Sequence, residues 1–413
     1  MDSLYEKTVL PSGLSGLRVI SEKMPQVRSV AVGVWIAKGS RDEKKEENGL
    51  CHFIEHMSFK GTKKRTAPEI AKSLESIGGH LDAFASKEET CFYARALDEH
   101  LPSALEVISD LICHSLYNPK DIEREKKVVL EEIKSLEDTP DELVHELFAA
   151  TLFKDHPLGR PVLGSKESCQ NFSRQKLIDF WQRNYTASNA VVAVAGNVEH
   201  NYLLELATNF FSFNEGRELP PVDLPPFKPE IKKVPKKISQ SHICLGTRTL
   251  SYAHPQRYAL LLLSTILGGG MSSRLFQKVR EREGLAYTIF SYAELYQDTG
   301  LFGIYLGVDP KQSKRAIDLV FKEIEQLRQN GLQKDELTHA KAQLKGGLML
   351  GLESTSNRMM RLAKMEINLQ KYCPLDETIK EIDAVREEEV LHLADSLLRK
   401  ELLSLVILGP NKS

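Results

Sequence analysis

Residues 50–58 read LCHFIEHMS, and the rest of the chain is organised around this stretch. Its apolar side chains recur at i, i+3, i+4 and i+7, which predicts a helix with one stripe facing a core: Leu50, Phe53, Ile54 and Met57. The polar side chains share the opposite face of that helix: His52, Glu55 and His56. We place Asn48 as the N-cap and the end of the helix at Lys60-Gly61.

The polar face of this helix has the spacing of a metal site. Two histidines four residues apart lie one above the other, so His52 and His56 can both reach one zinc ion. Glu55 lies beside them and can take a proton from a metal-bound water without being a ligand. The order H-x-x-E-H is the inverted, or inverzincin, motif. The alternative is a helix that carries two solvated histidines on its polar face.

Zinc needs a third protein ligand, and the helix predicted to begin at Asn118-Pro119 offers one. Glu125 and Glu132 are seven residues apart, two turns on one face. One of them can therefore bind the metal while the other supports a ligand. Glu131 points about 100° away, and we expect it to be solvated.

Composition excludes several classes of function. The chain has 413 residues, 41% of them hydrophobic and 27% charged, with a net charge of −2. This near-neutral balance argues against a nucleic-acid binder, and the apolar runs are too short to span a membrane. The first residues show neither a signal peptide nor a transit peptide. Six scattered cysteines predict reduced, mostly buried thiols in a cytosolic setting. We expect a cytoplasmic protein, with the mitochondrial matrix as the alternative if a leader has been removed.

The pattern of strands and helices predicts an α+β fold in two halves. Six prolines fall between Glu218 and Lys237, so we predict a linker at 218–237 that separates residues 1–217 from 238–413. Glycines in the first and last predicted strands of each half repeat with an offset of 213 residues: Gly33 with Gly246, and Gly196 with Gly409. The same offset sets the metal residues against Thr265, Gly268 and Gly269, so the second copy has no metal site. Two unrelated α+β domains are the alternative.

Several further stretches carry a resemblance to a known family: 52–62 (HFIEHMSFKGT), 79–88 (GHLDAFASKE), 122–133 (IEREKKVVLEEI), 268–277 (GGGMSSRLFQ) and 280–287 (REREGLAY). Together they show that the chain resembles the pitrilysin and mitochondrial-processing-peptidase family of inverted-motif zinc peptidases, above all its bacterial processing-peptidase-like members. The resemblance runs along essentially the whole chain.

The resemblance implies a fold and a set of roles. The fold is two α/β-sandwich halves, each a mostly antiparallel sheet covered by helices, joined into a clam-like chamber. Glu132 matches the third zinc ligand and Glu125 the supporting glutamate, with one zinc ion per chain. Arg280 and Tyr287 match residues that the family places over the zinc ion when the halves close, where a phenol can stabilise an oxyanion. Read from the residues alone, Tyr287 is a half-buried strand aromatic and Arg280 a solvated charge.

The glycines at 268–270 resemble a flexible loop that the mitochondrial enzyme carries on its partner subunit. One chain here has both the zinc motif and these glycines, so we expect a homodimer. As a phosphate loop the run is a poor candidate, because no Gly-Lys-Ser/Thr follows.

The expected function is that of a zinc-dependent metalloendopeptidase, a hydrolase acting on peptides or unfolded segments held between two halves. A zinc-bound water attacks the peptide bond with Glu55 as the general base. The rivals are a non-catalytic core subunit of the same fold and a module that binds peptides without cutting them. We also expect the first half alone to bind zinc and to be nearly inactive.

Substrate selection is expected to begin with backbone pairing to the predicted hairpin strand: Ala83, Phe84 and Ala85. Glu142 and Glu146 are four apart on one helix face. The family resemblance implies that they receive a basic side chain just before the cleaved bond. The alternative is a solvated acidic face.

Overall fold

The structure is a computed structural model that describes residues 4–11, 14–213 and 222–410. Eleven strands occur in these ranges: β1 (Tyr5–Val9), β2 (Arg18–Lys23), β3 (Ser29–Ile36), β4 (His80–Ala85), β5 (Thr90–Leu97), β6 (Ala190–Gly196), β7 (Ile231–Pro235), β8 (Ser241–Thr249), β9 (Ala286–Leu295), β10 (Gly300–Val308) and β11 (Ser404–Gly409). They form two sheets, with the orders β1-β2-β6-β3-β5-β4 and β7-β11-β8-β10-β9.

The same ranges contain fourteen α-helices: α1 (Leu50–Ser58), α2 (Ala67–Glu75), α3 (Leu101–His114), α4 (Pro119–Asp138), α5 (Pro140–Phe153), α6 (Lys166–Gln170), α7 (Arg174–Asn184), α8 (His200–Phe210), α9 (Arg257–Gly268), α10 (Ser313–Asn330), α11 (Glu336–Gly351), α12 (Thr355–Leu369), α13 (Leu375–Ala384) and α14 (Glu387–Leu397). Phe276–Arg282 forms a π-helical turn. The fold is therefore mixed helix and sheet, as predicted.

Apart from the additional edge strand β1 in the first sheet, the two sheets have the same topology. In the first, β2 and β6 are parallel and all other neighbours are antiparallel. In the second, β7 and β11 are parallel and the others antiparallel. Strand β7 begins at residue 231 and β2 at residue 18, a difference of 231 − 18 = 213. This offset matches the predicted one. Common descent of the two halves stays a prediction.

The chain packs into two compact units that differ from the predicted contiguous halves. One unit consists of Met1–Lys134, Arg160–Asp223 and Gly351–Tyr372, and the other of the remaining segments, Ser135–Gly159, Leu224–Leu350 and Cys373–Ser413. Each unit therefore takes a helical segment from the far half of the sequence. Helix α12 packs on β2, β3 and β6 of the first sheet, and α5 packs on β8 and β11 of the second.

This exchange explains why the central strands are continuously apolar. Every residue of β6 is buried, and so is every residue of β3 after Ser29. Within the first unit, both α3 and α12 pack against β3. A strand that helices cover in this way is apolar along its length. Gly33 makes room for this packing, because a Cβ there would lie 2.4 Å from the Trp35 ring and 3.2 Å from Met359 Sδ.

Two predictions about local structure were wrong. Asn48 does not cap α1, because Gly49 occupies the N-cap position in the left-handed conformation and the helix ends at Ser58. Part of the predicted linker, Ile231–Pro235, is an edge strand paired with β11. Its side chains alternate between exposed and half-buried, and two are lysines, a composition suited to a sheet edge. Residues 218–221 of the linker lie outside the described residues.

No helix within the described ranges is long and apolar enough to cross a membrane. All six cysteines are buried, as predicted. Cys51 is 1% exposed and belongs to the core cluster, which agrees with a packing role.

Candidate active site

Helices α1 and α4 bring the predicted metal ligands together. Leu50, Phe53, Ile54 and Met57 anchor α1 in the core of the first unit. That packing directs the opposite face of α1 toward α4, where Glu132 Oε2 lies 3.6 Å from the Nε2 atoms of both His52 and His56. The ligand atoms of these three residues all fall within 4.8 Å of one another.

The chemistry of this cluster fits zinc. Nitrogen and oxygen ligands bound tetrahedrally at about 2.1 Å lie roughly 3.4 Å apart. The separation of 3.6 Å from Glu132 to each histidine is close to that value. Glu132 Oε2 is also buried without a hydrogen-bond partner among the described residues. A buried carboxylate oxygen without a partner is costly, and a cation between the three ligands removes that cost.

Glu125 supports the site from behind His56. Its side chain is 4% exposed, and Oε1 lies 2.9 Å from His56 Nδ1. Lys60 Nζ lies 2.9 Å from Oε2 of the same carboxylate. Burial alone would raise the pKa of Glu125, but hydrogen bonds from His56 and Lys60 outweigh it and lower the pKa. An ionised Glu125 holds the proton of His56 on Nδ1 and leaves Nε2 free for metal.

The two histidines differ in their electrostatics. Burial and the nearby charge of His56 lower the pKa of His52 to about 4, against the attraction of Glu125. Burial would also lower the pKa of His56, but its hydrogen bond to Glu125 and the charges of Glu132 and Glu55 raise it overall. His52 is therefore neutral and ready to bind metal at pH 7, and His56 is the first of the two to take up a proton.

Glu55 has the properties of a general base. Burial raises its pKa to about 7, and the charges of Asp82 and Glu132 act in the same direction. The charge of His56 and a hydrogen bond from the backbone amide of Ala85 oppose the rise. A carboxyl group with a pKa near 7 can both accept and return a proton at neutral pH.

A buried carboxylate satisfies the first turn of α1. Glu43 is 3% exposed, and its oxygens accept hydrogen bonds from the amides of Gly49 at 2.7 Å and Cys51 at 2.8 Å. The side-chain amide of Asn48 donates to it at 3.1 Å. Burial raises the pKa of Glu43 to about 7 against these hydrogen bonds. Glu43 thus does what we had predicted for Asn48.

Strand β4 lies at the edge of the first sheet and contacts α1. The predicted substrate-binding residues Ala83, Phe84 and Ala85 are in this strand, and Ala85 bonds directly to Glu55. The strand edge and Glu55 are therefore in contact.

The other predicted site residues belong to the second unit. Arg280 lies in the π-helical turn, with its guanidinium carbon 5.5 Å from the centre of the Tyr287 ring. Tyr287 is 77% exposed rather than half-buried, which leaves its hydroxyl accessible. Glu142 and Glu146 lie on α5. The roles of these four residues in catalysis stay predictions.

Sequence reasoning missed three supporting residues. Lys60 follows His56 by four residues, so its place on the metal face was a readable signal. Asp82 stands next to the predicted strand residues, but nothing marked its carboxylate as close to Glu55. Glu43 precedes α1 in a loop, and no periodic pattern predicts which groups a loop side chain contacts.

Comparisons with known proteins show the family to which this chain belongs. The family "Insulinase (Peptidase family M16)" matches residues 18–166, and "Peptidase M16 inactive domain" matches residues 171–344. The uncharacterized zinc protease YmxG of Bacillus subtilis is 41% identical over 96% of this chain and 97% of its own length. An uncharacterized zinc protease of Mycobacterium leprae is 39% identical over 98% of this chain and 92% of its own length.

Two solved structures share the fold. A protein from Pseudomonas fluorescens, described as a peptidase M16 inactive domain, superposes with a TM-score of 0.91 at 21% identity over 98% of both chains. A protease from Helicobacter pylori has a TM-score of 0.89 at 24% identity, over 99% of this chain and 100% of its own.

Proposed function

Because this chain belongs to peptidase family M16, we propose that it is a zinc-dependent endopeptidase that cleaves peptides or unfolded polypeptide segments. The observation that carries the proposal is the meeting of His52, His56 and Glu132 within 4.8 Å, with the general base Glu55 on the same helix. A non-catalytic subunit needs neither a complete ligand set nor a base.

The proposed mechanism assigns one role to each residue. His52, His56 and Glu132 hold one zinc ion, which supplies a Lewis acid and an acidified water when bound. Glu55 takes a proton from the attacking water and returns it to the leaving amine. Before a peptide binds, the Ala85 amide holds the Glu55 carboxylate, and the pair Lys60–Glu125 fixes the His56 ring throughout.

We assign the peptide to the edge of β4, where main-chain bonds hold it without regard to sequence. Tyr287 then stabilises the oxyanion and Arg280 positions Tyr287, provided that the second unit closes over the first. Glu142 and Glu146 receive a basic side chain. A homodimer in the bacterial cytoplasm is the assembly and location that we propose.

The test combines metal analysis with a cleavage assay. We expect about one zinc per chain in the purified protein and cleavage of unstructured, quenched fluorescent peptides that stops on chelation and returns with zinc. Zinc binding without cleavage of any peptide in a varied library would favour the peptide-binding alternative. Absence of zinc binding would refute the proposal.

A further inference from the structure

The free edge of β4 has a defined set of amides. Ser86 N donates to Glu89 O at 2.8 Å where the β4–β5 hairpin turns. Backbone bonds alternate along an antiparallel ladder, so every second residue of β4 from that point bonds β5. The amides that point to the free edge belong to the residues in between: Leu81, Ala83 and Ala85.

Two of these edge amides are already bonded to carboxylates. The amide of Ala85 bonds Glu55, and the amide of Ala83 donates to Asp82 Oδ1 at 2.8 Å. A peptide strand that adds to this edge needs the same amides. It must therefore displace both carboxylates, and only that of Glu55 has a catalytic task to perform afterwards.

Asp82 stands among groups that suit a cation. Its side chain is 53% exposed, and Oδ2 accepts a hydrogen bond from the Tyr93 hydroxyl at 3.1 Å, with His80 Nε2 3.8 Å away. The Phe84 and Tyr93 rings have their centres 6.3 Å apart. A carboxylate beside two partly exposed aromatic rings can bind a guanidinium or ammonium group by ion pairing and by cation–π attraction.

Side chains of β4 alternate between the two faces of the sheet, and this alternation determines which peptide residues lie beside Asp82. Leu81, Ala83 and Ala85 pack against the core, so Asp82 and Phe84 face the other side of the sheet. Side chains of an added strand lie beside neighbours on the same face. Asp82 is three residues from Ala85, so its peptide neighbour is separated by a few residues from the bond at Glu55. Arg95 lies opposite His80, two residue pairs farther along the ladder.

We propose that Asp82 determines specificity: an incoming peptide takes the Ala83 amide from Asp82, and the freed carboxylate pairs with a basic side chain of the peptide. This inference rests on the proposed peptidase function. If the peptide residue beside Asp82 is acidic, two carboxylates face each other. If it is neutral, the Asp82 carboxylate has lost its hydrogen bond from the Ala83 amide and gains no ion pair in return. Basic peptides are favoured for both reasons.

The experiment compares peptides that differ only in carrying Arg, Gln or Glu at one position, scanned through the four residues on each side of the cleaved bond. Zinc-loaded parent protein, Asp82→Asn and the control Glu205→Gln are assayed at low and high salt. Asn keeps an acceptor for the Ala83 amide and removes only the charge. Glu205 is an exposed acid on α8, a helix that contacts β2 and α3.

At one scanned position we expect the parent to prefer Arg over Glu in kcat/KM by roughly fivefold at low salt, as for a partly exposed ion pair. Asp82→Asn should bring the ratio near one, and Glu205→Gln should leave it unchanged. The Asp82-dependent preference should persist in Glu142→Gln/Glu146→Gln. A preference that survives Asp82→Asn, or is absent from the parent, overturns the inference.

The failure of the inference can be told apart from failure of the peptidase function. If the parent cleaves none of the peptides, the proposed peptidase function is refuted. Fluorescence anisotropy with labelled peptides still ranks the peptides by their binding affinity. Loss of the Arg preference in binding by Asp82→Asn supports the role of Asp82, and an unchanged ranking refutes it.

Discussion

At the scale of single residues, the distinction between holding the metal and moving the proton can be tested. Glu55 shares α1 with two ligands but is absent from the ligand cluster. Glu55→Gln should therefore keep about one zinc per chain and lower kcat by several orders of magnitude, because an amide cannot accept the proton. Metal analysis and peptide cleavage on the same sample check this. Glu131→Gln, a neighbouring charge on α4, should retain activity. A Glu55→Gln protein that cleaves at the parent rate would show the assignment to be wrong.

The unequal histidines predict how zinc affinity depends on pH. Protons compete with zinc for the ring nitrogens. The raised pKa of His56 means that its competition is present by about pH 6.5, whereas His52 joins only near its pKa of about 4. The logarithm of the association constant should thus fall by about one unit per pH unit in that interval, and more steeply below it.

Competition with a chromophoric chelator across pH 4 to 8 measures this dependence. Lys60→Met removes the ion pair with Glu125, so it should shift the pH at which the zinc affinity begins to fall. Lys63→Met, which changes a lysine on the neighbouring loop, should leave that pH unchanged. A slope of two already at pH 6 would contradict the difference between the two histidines.

At the scale of elements, α1 depends on a side chain outside the helix. Glu43→Ala leaves the amides of Gly49 and Cys51 without their buried acceptor, so the free energy of unfolding should fall by about 2 kcal/mol. Urea unfolding of the zinc-free protein measures the loss. Glu47→Ala, in the same loop but ion-paired to Arg183, is a control that should cost less. Equal losses would mean that Glu43 has no special part in α1.

The pH dependence of this cap has a definite sign. The pKa of Glu43 is raised in the folded protein to about 7 from an ordinary value of 4.5. Its protonation therefore stabilises the fold fully below pH 4.5, and that contribution is lost as the pH rises to about 7. Relative to Glu43→Gln, the parent should lose stability over this interval and stay level above it.

Elements with strong local patterns were predicted well, and elements defined by distant contacts were not. The apolar stripe of α1 predicted the face that carries His52 and His56. The seven-residue spacing on α4 left Glu125 and Glu132 as alternatives, and the family resemblance chose Glu132, which lies beside both histidines. Strands β1, β2 and β7 were missed, because the polar and apolar residues in these short segments do not alternate in the way that predicts a half-buried strand. The 213-residue offset that related Gly33 to Gly246 also relates β2 to β7, but it could reveal neither strand because both were missed. Nothing local revealed the exchange of α5 and α12.

At the scale of the whole molecule, the proposal requires both units to act at one site. If Tyr287 reaches the peptide on closure, Tyr287→Phe should lower kcat by two to three orders of magnitude, about 2–4 kcal/mol for an oxyanion donor, with zinc content unchanged. Single-turnover cleavage measures the chemical step. Tyr202→Phe, an exposed tyrosine on α8, is the matched control. A parent-like rate for Tyr287→Phe would confine catalysis to the first unit.

The exchange of helices changes our expectation for the isolated first half. A fragment of residues 1–217 lacks α12, so the buried face of β3 and β6 is exposed, and it carries α5 without β8 and β11. We now expect this fragment to aggregate and to bind little zinc. Residues 1–134 and 160–217 joined to 351–372 should bind zinc and remain nearly inactive. Solubility and zinc titration of the two fragments, with a scrambled α12 as the control, decide between the expectations.

The position of α12 late in the sequence delays the completion of the first unit during biosynthesis. The last strand of the first sheet to be made, β6, ends at residue 196, and α12 begins at residue 355. At a synthesis rate of about 5–20 residues per second, the ribosome needs roughly 10–30 s to travel between them. Throughout that time the nascent chain presents a bare apolar sheet face. A chaperone that shields this face during translation would raise the yield of folded protein, and slow codons after residue 372 would not.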